Sequence, residues 1–309
     1  MSKKVVFIVG PTASGKTALS IALAKKFGGE IISADSMQIY KGIHIASAAP
    51  DENEMDGIKH HLIEFLDINE EFSVADYVKC ARECIKDINN RGKLPIIVGG
   101  TGLYISSLLD NIEFCEQPAD SILRQELEQK FDALGGEEML KELSVFDKDS
   151  SERLHPNNRR RIIRAFEVYL KSGITITEQN ALSKQNKGDI SPLVIGLNYN
   201  NRQYLYDRIN YRVYLMLKNG LLEEAKANFN GNFKTGAFQA IGHKEFYPYF
   251  NRACTLEEAV ENLKMQTRRY AKRQLTWFRR IEEVKWFYLD GKDNVSDILD
   301  FAEKFLKEE

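Results

Sequence analysis

Apolar and polar positions follow two different periods along the first hundred residues. Continuous apolar runs are typical of strands buried in a parallel sheet, whereas stretches with one apolar face are typical of helices. The two patterns alternate along the chain, which predicts a doubly wound α/β core. The predicted strands are "VVFIV" (5–9), "EIISA" (30–34), "LIEFL" (62–66) and "PIIVGG" (95–100), and the predicted helices are 15–27 and 73–92.

The pattern becomes mostly helical and charged in the middle of the chain, and no convincing strand returns until "PLVIGLNY" (192–199). We therefore predict a helical insertion at 115–190. The α/β core would be built from 1–114 together with 191–309, which supplies a returning strand and C-terminal helices.

The longest helix of the chain is predicted at 255–284. Thr255 and Glu258 form a capping box at its start. Mostly apolar residues recur every three or four positions along it and form one face, which is typical of a helix that packs on a core. That face consists of Val260, Leu263, Thr267, Tyr270, Gln274, Trp277, Ile281 and Val284.

The positively charged residues are concentrated in parts of the sequence rather than distributed evenly along it. The 309 residues carry a formal net charge of −2 and are 43% hydrophobic, which suits a globular protein with a sizeable core. Two basic stretches stand out, each with a single glutamate, and such clusters are typical of surfaces that bind phosphates. They are 152–164, with Arg153, Arg159, Arg160, Arg161 and Arg164, and 261–280, with Lys264, Arg268, Arg269, Lys272, Arg273, Arg279 and Arg280.

The apolar runs are all short, and none approaches the length of a membrane span. The sequence begins Met-Ser-Lys-Lys and continues directly into the first predicted strand, a pattern unlike that of a cleaved signal peptide. We therefore expect a cytoplasmic protein without a membrane partner.

The first strand leads into "GPTASGKT", a phosphate-binding loop between a strand and a helix. Glycines let the backbone turn its N–H groups around an anion, Lys16 supplies a positive charge, and Thr17 is a candidate ligand of Mg²⁺. The core is thus predicted to be of the P-loop type. The predicted phosphate-binding residues are Gly10, Pro11, Thr12, Ala13, Ser14, Gly15, Lys16 and Thr17.

Two further segments are expected at the same edge of the sheet as this loop, because the carboxyl ends of parallel strands meet there. "SADSMQIY" follows the second strand, and "GGTGLY" follows the strand at 95–100. Asp35 is either a carboxylate near the metal ion or a base that accepts a proton, and an Asp-Ser turn is the alternative without a catalytic role. Thr101 lies at the tip of the second segment.

The strand at 95–100 ends in Gly-Gly-Thr, where an ATPase would usually place an acidic residue for Mg²⁺. Asp67 is the remaining candidate for such a role. Arg208 lies among aromatic and apolar residues in "YLYDRINYRVYLML". It is either a packing residue or a guanidinium that binds an anionic leaving group.

Seven segments occur together in one order: "GPTASGKT", "SADSMQIYKG", "GGTGLY", "HPNNRRRIIRAFEVY", "DRINYRV", "AIGHKE" and "RRYAKRQLTWFR". From residue 10 to about residue 280 the chain thereby resembles the bacterial tRNA dimethylallyltransferases, which modify the adenosine next to the anticodon. Two positions depart from the family pattern. Arg160 stands where the family often has Gln, and His243 stands where it usually has Tyr.

The resemblance implies a role for each candidate. The loop would hold the diphosphate of dimethylallyl diphosphate, which is released when the prenyl group moves to N6 of adenosine. Lys16, Thr17 and Arg208 would stabilise the departing diphosphate, with Mg²⁺ bound near Thr17. Asp35 would accept the proton of the amine, and Thr101 would orient that amine.

The resemblance also implies an RNA partner, the anticodon stem-loop of tRNA. We expect the enzyme to be a monomer. The reacting base would leave its stack to reach the diphosphate. The residues expected to bind tRNA are Asp35, Ser36, Met37, Gln38 and Thr101 near the base, Arg160, Arg161, Ile162, Ile163 and Arg164 in the insertion, and Arg268, Lys272 and Arg273 on the last long helix.

Three alternatives remain open on the sequence alone. A small-molecule kinase fits the loop and the α/β core, but it leaves the two basic stretches without a role. A prenyltransferase that acts on a free adenine nucleotide does not need those stretches either. An RNA-binding module with a purely structural anion site leaves Asp35 and Thr101 without a role.

Overall fold

The chain divides into two units, one that combines Met1–Leu109 with Asp189–Glu309 and one that comprises Asp110–Gly188. The computed structural model describes residues 3–112, 120–185, 190–229, 237, 240–290 and 294–308.

A parallel sheet of six strands forms the centre of the first unit. The strand order is β3-β2-β4-β1-β5-β6, so β1 lies between β4 and β5 with Val6 opposite both Ile96 and Leu193. All five residues of "VVFIV" are buried, as expected for a strand covered on both faces. The strands are β1 (Lys3–Val9), β2 (Gly29–Ser33), β3 (His60–His61), β4 (Leu94–Val98), β5 (Ile190–Asn198) and β6 (Val284–Tyr288).

Helices account for most of the remaining described residues. In chain order they are α1 (Lys16–Phe27), α2 (His44–Ser47), α3 (Glu52–Met55), α4 (Val74–Asn90), α5 (Gly102–Leu109), α6 (Ser121–Ser144), α7 (Lys148–Arg153), α8 (Arg159–Ser172), α9 (Ile176–Gln185), α10 (Arg202–Lys218), α11 (Leu221–Phe229), α12 (Tyr247–Phe250), α13 (Leu256–Phe278) and α14 (Val295–Lys307). A short 3₁₀ turn, Lys244–Phe246, precedes α12.

Capping boxes fix the starts of the two long helices predicted from the sequence. Ser73 accepts the N–H of Asp76 at the start of α4, and Thr255 accepts the N–H of Glu258 at the start of α13. In both helices the acidic side chain reaches back to the N–H of the capping residue, so two backbone donors are satisfied at each start.

One face of the sheet packs on α1 and α14. Ile8, Ile31 and Ile195 of the strands meet Leu23 of α1 and Ile298 of α14 in one buried cluster. Each such side chain stabilises the fold by about 1.5–3 kcal/mol relative to its exposed state. The carboxyl ends of the strands, where candidate chemistry is expected, are thereby held on a rigid support.

The second unit consists of α6 to α9 around its own small core. α6 is interrupted at Gly135, whose φ of 77° and ψ of 166° are not helical. A side chain at Gly136 is excluded, because its Cβ would lie 2.0 Å from the carbonyl oxygen of Pro156. The core contains Leu127, Met139, Leu143, Ile162, Ile163, Ala165 and Phe166.

Two predictions of secondary structure were wrong. "LIEFL" is not a strand, because Leu62 and Glu64 have φ angles of 59° and 47°, and the edge strand β3 comes just before it. The last long helix ends at Phe278 rather than at Val284, where β6 begins. Ile281 and Val284 continued the helical spacing, which concealed this sixth strand. Along the described ranges, no helix has the length and apolar content needed to span a membrane.

Candidate active site

The phosphate-binding loop connects β1 to α1, as its sequence requires. Gly10 has a φ of 144°, and a Cβ there would lie 2.5 Å from the carbonyl oxygen of Leu197. Gly15 occupies the N-cap of α1 with a φ of 93° and provides no side-chain cap. The first N–H groups of α1 therefore have no partner from a capping side chain, and such groups bind anions.

Three side chains donate hydrogen bonds to carbonyl oxygens of the loop. Lys16 Nζ donates to the carbonyl oxygen of Pro11 at 2.7 Å, and Arg208 Nε donates to that of Ala13 at 2.8 Å. The hydroxyl of Tyr199 donates to the carbonyl oxygen of Ser14 at 3.4 Å. Ser14 Oγ is itself buried and has no hydrogen-bond partner among the described residues. The loop thus contains an unsatisfied polar group next to its anion-binding backbone.

Three charged side chains lie near one another beside the loop. Burial, followed by the positive charge of Arg212, lowers the pKa of Lys16 to about 7, although Asp35 opposes this. Burial raises the pKa of Asp35, against the N–H of Met37 and the charge of Lys16. Burial also lowers the pKa of Arg212. Two basic side chains, both half-buried, therefore lie near one carboxylate, an arrangement that favours an additional anion.

Arg212 was not expected from the sequence. It lies one helical turn after Arg208 on α10, so a search for basic residues on the face of Arg208 would have found it.

Asp35 and Thr101 meet because β2 and β4 are neighbours in the sheet. Thr101 donates its N–H to the carbonyl oxygen of Ala34 at 3.1 Å, and its Oγ1 accepts the N–H of Ser36 at 2.9 Å. The threonine hydroxyl donates in turn to Ser36 Oγ at 3.3 Å. Gly99 permits this approach, since a Cβ there would lie 2.1 Å from Ala34 O. The structure thus places these predicted site residues at one edge.

Two of the residues predicted to contact the base are engaged within the protein. Gln38 accepts the hydroxyl of Ser33 at 2.8 Å and donates to the carbonyl oxygens of Ser47 and Ala48 at 3.4 and 3.1 Å. Met37 packs against a buried cluster that includes Ile39. Both side chains stabilise the loop after β2, whereas Asp35 and Ser36 lie beside Thr101.

The helix α2, which follows this loop, is attached to α11 by a buried pair. Glu224 accepts the N–H groups of Ile45 and Ala46 at 2.7 and 3.0 Å, and its Oε1 lies 2.8 Å from His243 Nε2. His243 is almost completely buried. The histidine that departs from the family pattern is therefore a packing residue that orients Glu224.

Gln274 of α13 connects the phosphate loop to the segment after β4. Its Oε1 accepts the N–H of Thr12 at 2.8 Å, and its Nε2 donates to the carbonyl oxygen of Gly100 at 3.1 Å. A Cβ at Gly100 would lie 2.0 Å from this amide nitrogen. The sequence had indicated only a packing role for this face of the helix, because its polar contacts join residues far apart in the chain.

We expect Gln274→Leu to lower the free energy of unfolding by about 2–6 kcal/mol. Leucine has a similar volume but leaves two inward-facing backbone groups without partners, at about 1–3 kcal/mol each. Chemical denaturation measures this effect. Gln266→Leu on the same helix is the control, because the Gln266 amide donates to Asn262 of that helix. Equal loss of stability in both variants would contradict the role of Gln274.

The basic stretch in the second unit is only partly exposed. Arg160, Arg161 and Arg164 of α8 are exposed, and Arg164 lies 3.3 Å from Glu167. Ile162 and Ile163, by contrast, are buried in the core of this unit, so their side chains do not contact a nucleic acid. The prediction that they bind tRNA is therefore wrong for their side chains, since α8 presents alternate faces to its core and to solvent.

The second basic stretch lies on α13. Lys272 and Arg273 are exposed, whereas Arg268 donates to Asn210 Oδ1 at 2.8 Å and lies over the ring of Tyr206. Arg268 thus also joins α13 to α10. Thr17, the predicted metal ligand, is exposed in the first turn of α1.

The chain is similar to known proteins along most of its length. The profile of the IPP transferase family matches residues 38–281. A tRNA dimethylallyltransferase of Caldanaerobacter subterraneus subsp. tengcongensis is 47% identical over 296 residues, which cover 94% of this chain and 93% of the relative.

Two solved structures have the same fold. The full-length tRNA isopentenylpyrophosphate transferase of Bacillus halodurans has a TM-score of 0.73 and 41% identity, with 99% of this chain and 97% of that chain covered. A eukaryotic dimethylallyltransferase described as acting on tRNA has a TM-score of 0.84 and 30% identity, covering 100% of this chain and 82% of that one. The chain belongs to the IPP transferase family, that of the tRNA dimethylallyltransferases.

Proposed function

We propose that this enzyme transfers the dimethylallyl group of dimethylallyl diphosphate to N6 of the adenosine next to the anticodon of tRNA, and releases diphosphate. The observation that carries the proposal is the meeting of the phosphate loop, Lys16 and Arg212 with Asp35 and Thr101 at one sheet edge. Membership of a family of tRNA dimethylallyltransferases supports the acceptor and the transferred group.

The diphosphate would lie against the N–H groups of the loop and the first turn of α1. Lys16, Arg208 and Arg212 add positive charge around it. In the reaction the bond from the prenyl C1 to the diphosphate oxygen breaks, and the electron pair leaves with the diphosphate. Donors fixed before the reaction stabilise this growing charge more effectively than water, because they do not reorganise.

Asp35 would accept the proton that N6 loses as its bond to C1 forms. Burial raises the pKa of this carboxyl, which makes it a stronger base than an exposed aspartate. Thr101 presents its hydroxyl next to Ser36, where it can orient the amine. Positioning matters here because an exocyclic adenine amine is a weak nucleophile.

Mg²⁺ fits this site as a partner of the diphosphate. Thr17 offers an exposed hydroxyl, and the described residues contain no cluster of three acidic, histidine or cysteine side chains that would hold a metal by itself. Mg²⁺ commonly binds through substrate phosphates, a few protein oxygens and water. When bound, the ion would neutralise part of the charge of the diphosphate.

The exposed arginines of α8 are proposed to bind phosphates of the tRNA. We expect Arg160→Ala combined with Arg161→Ala to weaken tRNA binding and to reduce the slope of log K against log salt by about 1–2, since each lost phosphate contact lowers it by about one. Fluorescence anisotropy at several salt concentrations measures both quantities.

Arg159→Ala is the matched control, because Arg159 is paired with Asp132 and lies over the ring of Phe131. This variant is expected to keep the wild-type salt slope. An unchanged slope in the double variant would remove these arginines from the RNA interface.

The proposed function is tested by incubating the purified protein with Mg²⁺, dimethylallyl diphosphate and unmodified tRNA, followed by mass analysis of the digested nucleosides. Adenosine heavier by one prenyl group is the expected product. A parallel reaction with ATP tests the kinase alternative, and a reaction with free AMP tests the nucleotide acceptor. ATP hydrolysis without prenylated adenosine would overturn the proposal.

We further propose that the enzyme acts in the cytoplasm, where its tRNA substrate is found, and as a monomer.

A further inference from the structure

One face of α10 carries aromatic side chains that are exposed to solvent. Tyr211 and Tyr214 are 62% and 59% exposed, and Tyr204 and Leu215 also face solvent. The rings of Tyr211 and Tyr214 lie 6.3 Å apart between centroids and are inclined by 27°. The opposite face of the helix is fixed in the protein by Leu205, Ile209 and Val213, all buried. The two rings are therefore presented outward on a rigid element.

This exposed pair lies close to the phosphate loop along the helix axis. Arg208, whose Nε donates to Ala13 O of the loop, precedes Tyr211 by three residues and Tyr214 by six. At a rise of 1.5 Å per residue, the rings follow Arg208 by about 4.5 and 9 Å along the axis. Stacked bases in a strand are separated by about 3.4 Å. The spacing of the rings along the helix axis is thus comparable to that of nucleotides beside one that enters the site.

The charges around the rings suit a polyanion. α10 contains Arg202, Arg208, Arg212 and Lys218 but only one acidic residue, Asp207, which accepts a hydrogen bond from Gln203. The neighbouring helix α13 adds Arg268, which donates to Oδ1 of Asn210, the residue before Tyr211, at 2.8 Å. Aromatic rings between cations are typical of surfaces that bind single-stranded nucleic acid, where bases stack and phosphates meet the basic groups.

We propose that Tyr211 and Tyr214 form a stacking surface for unpaired nucleotides that flank the reacting adenosine in the anticodon loop. This inference rests on the proposed function, because it assumes that the acceptor is an RNA loop. Stacking accepts any base, since every base has an aromatic face, so the surface would add affinity and position the loop without selecting its sequence.

The test compares Tyr211→Ala/Tyr214→Ala with Tyr211→Phe/Tyr214→Phe, using an RNA hairpin with the sequence of the anticodon arm. The alanine variant is expected to bind the hairpin about 10- to 100-fold more weakly with an unchanged salt slope, because no phosphate contact is lost. The phenylalanine variant keeps both rings and is expected to bind within about twofold of the wild type. Binding of dimethylallyl diphosphate, unchanged in both, verifies that the site is folded.

Abasic substitutions of the loop nucleotides beside the target provide a second readout. They are expected to weaken binding by the wild type and to have little further effect on the alanine variant. Equal affinities of the alanine variant and the wild type for the hairpin would overturn the inference. An equal loss of affinity in the alanine and phenylalanine variants would overturn it too, as would a lower salt slope in the alanine variant. Unchanged RNA binding with a loss of self-association in sedimentation would assign the rings to a second copy. Failure of the wild type to bind any hairpin would instead overturn the proposed function.

Discussion

Asp35→Asn is expected to lower kcat for prenyl transfer by about 10²–10⁴-fold, with the affinity for tRNA almost unchanged. The amide cannot accept the proton of N6, but its oxygen can still accept the N–H of Met37, which Asp35 Oδ1 binds at 2.9 Å. Single-turnover kinetics and anisotropy on the same preparation separate the two quantities. Loss of tRNA binding together with activity would show that Asp35 has a structural role.

The two roles considered for Asp35 are distinguished by magnesium. If the carboxylate binds the ion, a high concentration of Mg²⁺ would restore much of the activity of Asp35→Asn, whereas a missing base is not replaced. Asp67→Asn is the control, because Asp67 is an exposed carboxylate after the 62–66 segment and is expected to keep wild-type activity.

Asp35→Asn is expected to increase the stability of the protein at neutral pH, although it lowers the activity. A carboxyl whose pKa is raised in the folded protein lowers the free energy of unfolding at pH values above that pKa, because the buried charge is unfavourable. Below the pKa of the unfolded chain this penalty is absent. Asp35→Asn should therefore unfold at a higher denaturant concentration than the wild type at neutral pH, and the difference should vanish in acid.

Lys16→Ala is expected to weaken the binding of dimethylallyl diphosphate by about 2–5 kcal/mol, because a half-buried positive charge beside the phosphate loop is removed. This corresponds to about 30- to 5,000-fold in Kd. Isothermal calorimetry measures the loss, and Lys16→Arg keeps the charge as a control. Comparable affinity of Lys16→Ala and the wild type would contradict the assignment of the loop as the diphosphate site.

The pKa of Lys16, about 7 in the ligand-free protein, adds a pH dependence. An anion stabilises the protonated amine and raises its pKa, so binding takes up a proton above pH 7, and affinity falls as the pH rises further. Below pH 7 the amine is already charged and contributes no pH dependence. Calorimetry in two buffers with different ionisation enthalpies measures the uptake. Lys16→Arg should not take up a proton at this position when the diphosphate binds, because its guanidinium stays charged. Equal proton uptake by Lys16→Arg and the wild type would exclude Lys16 as the source.

Local sequence patterns were sufficient to predict many of the strands and helix starts of the α/β core. The apolar runs at 5–9, 30–34, 95–100 and 192–199 each coincide with an observed strand to within two residues at the carboxyl end, and both capping boxes occur at helix starts. These elements are defined by residues adjacent in sequence. The placement of Asp35 and Thr101 near the loop then followed from the general property of parallel sheets that carboxyl ends share an edge.

Long-range contacts explain what the sequence could not indicate. Gln274 joins Thr12 and Gly100, which are 262 and 174 residues away, and no local pattern distinguishes such a side chain from a packing residue. Arg212 lies beside Lys16 and Asp35 only because α10 packs near the loop. The buried position of Ile162 and Ile163 reflects the face of α8, which a motif read as one continuous string does not resolve.

The sheet order has a consequence for how the protein forms during synthesis. β1 has β5 as one neighbour, yet about 180 residues separate the two strands in the chain, and β6 is added only near the end. While the ribosome is producing the middle of the chain, β1 has an unpaired apolar edge of the kind that promotes aggregation. The side chain that fastens the phosphate loop to Gly100 also emerges late, with α13. Catalytic competence is therefore a property of the nearly complete polypeptide, and premature termination after the first five helices would leave a loop with the right sequence but without its supports.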